Sequence, residues 1–208
     1  MIRIVDPVAS RSWETLAAST AAGDLACLLA QCAREAPGVW AVLKSHGLAD
    51  ARAHVDLAAR DAASGDVVLR KRRLRVDLPA VEFERTLTLH HVLSELENQD
   101  IAYVTVDLSL PGSVLRGSRR YSVEQLFVIT VDMWPSGAAT TTLHTFSDCW
   151  LSHDLRGHKQ PDVQKQNAAL LRAALGAVTE QLGTPDRALG SGCSWCAHGV
   201  RVRGLPGR

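Results

Sequence analysis

At 208 residues, with 46% hydrophobic and 22% charged residues, the chain has an ordinary globular composition and enough apolar material for one sizeable core. A formal net charge of +1 argues against a dedicated nucleic-acid binder and equally against an acidic mimic of nucleic acid. No apolar run reaches the length of a bilayer span, and the opening MIRIVDPVASRSWE lacks the regions of a secretory signal, so a cytoplasmic location without membrane contact is expected.

Ser10 or Ser12 caps a predicted helix from Trp13 to about Ala22, with Trp13, Leu16 and Ala17 on one face. Asp24 caps a second helix, in which Leu25, Leu28, Leu29 and Cys32 share a face and which Pro37 and Gly38 close. Val39 to Leu43 fits either a buried strand or a helical turn. Asp50 begins a third predicted helix, running to Ala63 before the Ser64-Gly65-Asp66 turn. Val67 to Asp77 reads as a strand carrying the basic run Arg70 to Arg75, a solvated face facing acidic neighbours such as Glu82 and Glu84, or else a docking patch for an acidic partner. Val81 to Leu89 is a further candidate strand and His90 to Asn98 a short helix.

Ile101 to Leu110 alternates, with Ala102, Val104, Val106, Leu108 and Leu110 on one face, and Pro111-Gly112 is expected to end it. Arg116 to Arg120 then form a basic turn. From Gln125 the run Leu126-Phe127-Val128-Ile129-Thr130-Val131 predicts a strand covered on both faces. A Pro135-Ser136-Gly137 turn folds it back into a second strand from Ala139 toward Trp150. A polar connector follows. The helix opening at Pro161 carries a stripe of Val163, Leu170, Leu171, Ala174, Leu175, Val178 and Leu182, which the preceding hairpin is placed to cover. Gly183, in the left-handed conformation, and Pro185 end it. The expectation is a single α+β domain over 1–208: an antiparallel or mixed sheet of about four to six strands, N-terminal helices, and a C-terminal amphipathic helix packed on the sheet. The segment 190–208 is expected to fray.

Five irregularly spaced cysteines do not make a secreted disulfide framework. Cys193, Cys196 and His198 offer three ligands for a tetrahedral zinc, with His153, His158 or Cys149 as the fourth only if the fold brings one near. Redox chemistry would want the same C-x-x-C at a helix N-terminus, a context this glycine-rich tail lacks, and ordinary free thiols are the plainer reading. Cys149 beside His144, Asp148 and His153 invites a nucleophile reading. Strand alternation, however, turns Cys149 away from His144 and Asp148, which favours a structural cysteine. No phosphate loop, dinucleotide fingerprint or serine-nucleophile elbow is present.

The stretch TFSDCWLSHDLRGHKQPDVQKQNAALLRAALGAVTEQLG, about a fifth of the chain, resembles the C-terminal part of actinobacterial proteins, some of them similar to immunity proteins of toxin systems. Its marks are Asp148-x-Trp150, then Asp154 to Gly157, then a helix opening near Asn167. The resemblance implies an interaction role and transfers no functional residue.

Two functions are therefore expected in competition. One is a non-catalytic module that binds a protein partner, as immunity or accessory factors do, through Trp134, Trp150, His153, Arg156 and His158. The other is a metal- or thiol-dependent enzyme using Cys193, Cys196 and His198, with zinc as cofactor. A nucleic-acid accessory role for Arg70 to Arg75 ranks third.

Overall fold

The computed structural model describes residues 7–16, 25–77, 95–96 and 99–185. The expectations for Val81 to Leu89, for most of His90 to Asn98 and for the tail 190–208 lie outside these residues. In order, the elements are β1 (Ala9–Leu16), α1 (Leu25–Ser45), β2 (Arg52–Asp61), β3 (Val67–Asp77), β4 (Ile101–Arg116), β5 (Arg119–Met133), β6 (Ala138–Thr145) and α2 (Pro161–Leu182). Among the described residues six strands pair in the order β1-β6-β5-β4-β2-β3, every neighbour antiparallel. The α+β class, the antiparallel sheet and the helix on the sheet all follow the expectation.

Alternation makes the sheet one-sided. Val104, Val106, Leu108 and Leu110 of β4 are buried and lie opposite Met133, Val131, Ile129 and Phe127 of β5. Ala53, Val55, Leu57 and Ala59 of β2 and Leu143 of β6 continue the same face, which shares one apolar cluster with Leu29, Trp40 and Leu43 of α1 and Leu171 and Leu175 of α2. α1 lies against β4 and β5. α2 rests mainly on β4 and α1 and touches β1, more than it does the β5–β6 hairpin that precedes it.

Three predicted helical features are corrected. Trp13 belongs to strand β1, where Ser10 and Ser12 bond across to His144 and Thr142 instead of capping a helix. Asp50 to Ala63 is mostly strand β2, whose burial alternates because Ala53, Val55, Leu57 and Ala59 point inward between polar residues. Alanine's helix preference loses there to the period of the apolar pattern. α1 runs straight through Pro37 and Gly38 to Ser45. Its buried residues Leu29, Cys32, Ala33, Ala36, Val39, Trp40 and Leu43 keep helical spacing across the proline, and packing of that stripe outweighs one missing backbone bond. Glycine at 38 also leaves room for the Gln181 side chain of α2. At the far end of α2, Gly183 has φ 92° and ψ −170°, an extended left-sided conformation rather than the left-handed helical one, and its N–H still bonds the Thr179 carbonyl.

β4 is longer than expected because Pro111-Gly112 forms a bulge instead of a stop. β2 pairs with β4 only as far as His54↔Ser109, so beyond the bulge β4 has no strand neighbour on that side among the described residues. Two groups close the exposed edge. Ala49 bridges to Gly112. A Cβ at 112 would run into the Leu48 carbonyl, so only glycine admits this approach. Further along, Asn167 of α2 stands in for a strand residue. Its Oδ1 accepts the Leu115 N–H at 2.8 Å, and its Nδ2 donates to the Leu115 carbonyl at 2.8 Å and to the Val163 carbonyl at 2.7 Å.

Asn167 is 1% exposed, so truncation would strand two backbone groups of Leu115 away from water. Asn167→Ala is expected to lower unfolding free energy by about 2–3 kcal/mol in a urea titration. A loss below about 0.5 kcal/mol would show that the clamp contributes nothing.

Candidate binding surface

The sheet face turned away from the helices is polar and pairs with itself. Ser10 Oγ and His144 Nδ1 share a hydrogen bond at 2.7 Å, Ser12 and Thr142 another at 2.8 Å. Thr130 Oγ1 donates to Asp107 and Thr105 Oγ1 to Asp132, each at 2.6 Å. Burial pushes the Asp107 carboxyl upward, with Asp132 and Asp56 adding to the rise and Thr130 opposing it. Burial pulls His144 down, against the attraction of Asp132. Ser10 and His144 form a pair, but Asp132 is committed to Thr105 and makes no hydrogen bond that would turn the pair into a triad.

The connector between β6 and α2 is the most elaborate non-repetitive segment described. Asp148 Oδ2 accepts the Leu155 N–H at 3.0 Å. Asp154 Oδ1 accepts the N–H groups of Arg156 and His158 at 2.9 and 2.8 Å, and His158 Nδ1 stands 3.1 Å from Asp154 Oδ2. The His158 amide foremost, then its ring and the Arg156 amide, hold the Asp154 carboxyl below its usual value. His153 and Lys159 bridge, and Gly157 turns the tip with φ 87°. Gln160 Nε2 ties the base to the Asp148 and Leu151 carbonyls. The result is a small hairpin fixed by its own carboxylates. Outward it shows His153, Arg156, His158, Lys159 and Leu155, the last 42% exposed.

This geometry sorts the expected binding residues. His153, Arg156 and His158 come together on the hairpin. Trp134 is exposed, at 37%, beside Tyr103 with ring centroids 6.2 Å apart, but it lies at the opposite end of β6. Eight residues of strand separate the two places, about 26 Å of extended chain. Trp150 is corrected: it is 5% exposed, stacked on Phe127 at 5.7 Å, and its Nε1 donates to Thr145 Oγ1. The strand expected to reach Trp150 stops at Thr145, and the indole closes the core beneath the connector. Asp148, Trp150, Asp154 and Gly157 are thus the scaffold of the hairpin. Leu155 was not singled out from the sequence; one apolar residue in a polar loop was its only signal.

Cys193, Cys196 and His198 lie outside the described residues. Among the described residues no three His, Cys, Asp or Glu side chains are grouped to hold a metal ion. Cys149 is buried among apolar neighbours, as expected of a structural cysteine. Burial, helped by Asp148 and opposed by Ser147 and Arg116, pushes its thiol up to about 12. Cys32 is raised as well, by burial first and then by Glu35 and Asp132. The basic run on β3 has an ion partner in Glu95, whose Oε1 lies 2.6 Å from Lys71 Nζ, while Arg70 and Arg75 are exposed.

Compared with known proteins, the chain matches no family model and no curated sequence.

Thiolate is the reactive form of cysteine, so both buried thiols are expected to resist alkylation in the native protein at pH 8. Peptide mass mapping after maleimide treatment is expected to find Cys32 and Cys149 unmodified until denaturant is added. Rapid native labelling at either position would contradict the packing described.

Proposed function

We propose that the chain is a non-catalytic module that binds a protein partner, acting in the cytoplasm as immunity or accessory factors do, and that the 148–160 hairpin is its recognition element. The observation that carries this reading is Leu155. A large apolar side chain stands exposed at the tip of a loop whose backbone is already fixed by Asp148 and Asp154. Fixing a loop before binding removes much of the ordering cost of association. An aliphatic anchor beside Arg156, flanked by His153 and His158, has the make-up of an interface centre with a polar surround.

The surroundings add to the reading. Gln166 of α2 donates to the Gly117 carbonyl, which brings the β4–β5 turn to the same end of the molecule as the hairpin. Arg116 and Arg119 face each other across that turn. An approaching acidic surface would meet both elements. The buried thiols and the Ser10–His144 pair without an acid fit binding better than nucleophilic chemistry.

The test uses immobilised protein and lysate from its own cells. Wild type is expected to recover a partner in stoichiometric amount. Leu155→Asp and Arg156→Glu, both exposed and leaving the circular dichroism unchanged, are expected to weaken that partner's binding roughly tenfold or more. Equal recovery by the variants, or no stoichiometric partner for wild type, would overturn the proposal.

A further inference from the structure

The bulge that lengthens β4 also opens the sheet. Proline at 111 offers no N–H, and its carbonyl is taken by the Asp50 N–H at 2.9 Å. Ladder pairing between β2 and β4 reaches only His54↔Ser109, so residues 51–53 face the bulge with no β4 ladder on that side. A cleft of about 570 Å³ occupies the gap, lined by Asp50, Arg52, His54, Arg75 and Pro111 together with two alanines. The cleft is open to solvent, and Asp50, Arg52, His54 and Arg75 are exposed along it.

The side chains at the cleft are arranged by register. His54 lies directly across from Arg75, and Arg52 across from Asp77, two positions along on the same face. The guanidinium groups of Arg52 and Arg75 are thus diagonal neighbours and repel, a cost that an anion held between them would reverse. Asp77 does not fully occupy Arg52. Its Oδ1 stands 3.3 Å from Arg52 Nε, yet that oxygen makes no aligned hydrogen bond. Among the described residues Arg75 forms no ion pair.

We infer that this cleft is a binding site for a small oxyanion, phosphate or carboxylate, held by Arg75 and Arg52 with His54 between them. A guanidinium presents parallel N–H donors that match two oxygens of either group. Asp50, on the same cleft, disfavours the anion and selects ligands that carry a hydrogen-bond donor beside it. The site does not depend on the partner reading: the cleft is made by β2, β3 and the β4 bulge, and the recognition hairpin contributes nothing to it.

The experiment is a titration of the full chain, followed by amide chemical shifts, with inorganic phosphate, succinate and sodium chloride in turn. Saturable shifts confined to residues 50–54, 75 and 109–112 are expected with phosphate or succinate at concentrations where chloride produces none, and the tighter of the two identifies the oxyanion. Arg75→Gln is expected to weaken binding about tenfold, the loss of one charge-assisted contact. Asp50→Asn is expected to tighten it, because it removes the repelling carboxylate. Arg172→Gln, exposed on α2 and not part of the cleft lining, is expected to bind as wild type does. All of these positions are on the surface, so the variants fold. Shifts that do not saturate, that chloride reproduces, or that survive Arg75→Gln unchanged would overturn the inference, as would Asp50→Asn weakening the binding.

Discussion

The arrangement depends on what happens to β4 at Pro111-Gly112. A strand that loses its neighbour leaves N–H and C=O groups open, and such an edge must be covered or paired. Here the α1–β2 connection closes it at Gly112, and Asn167 closes it at Leu115. That second closure fixes where α2 begins. The start of α2 in turn fixes the end of the connector from β6, so the 148–160 hairpin is positioned by an amide from a different element. The same bulge draws β4 away from β2 and leaves the cleft at Arg52, His54 and Arg75. One irregularity thus serves both candidate surfaces.

The rest of the sheet supplies rigidity. Its apolar face meets both helices in one cluster, whereas its polar face is a set of short side chains bonded to one another. Across β1, β6, β5 and the facing part of β4 that polar face is largely self-paired, whereas Arg52, His54 and Arg75 at its β2–β3 end stay exposed. At the end where β6 runs out, Arg116, Arg119, Arg156 and Lys159 are exposed together. A net charge of +1 conceals this concentration, since acids and bases cancel in the sum while folding separates them in space.

What the sequence made legible were the elements whose signals are local. The β5 run, the Pro135 to Gly137 turn and the α2 stripe each carry their period and punctuation within a few residues, and each formed where expected. β1 and β2 mislead because serine serves equally as a cap and as a cross-strand partner, and because an alanine-rich alternation resembles a helix in composition. Pro37 was read as a stop, although the stripe on either side of it stays in phase. The candidate sites were less legible for a different reason. His153, Arg156 and His158 are neighbours in sequence and could be found there. Arg52, His54, Arg75 and Pro111 meet only through strand pairing, and the Asn167–Leu115 clamp spans 52 residues. Such groupings leave no mark in any single window of the chain. Nor did the sequence show that Asp148 and Asp154 support the hairpin rather than meet a partner.

The 148–160 hairpin, proposed above as the recognition element, is held by its own carboxylates before anything binds to it. Residue-resolved hydrogen exchange of the free protein tests this most directly. The amides of Leu155, Arg156 and His158, each bonded to an aspartate carboxylate, are expected to exchange more slowly than those of an unstructured chain of the same sequence. Exchange of all three at the unstructured rate would mean a loop without fixed form, and would contradict the account.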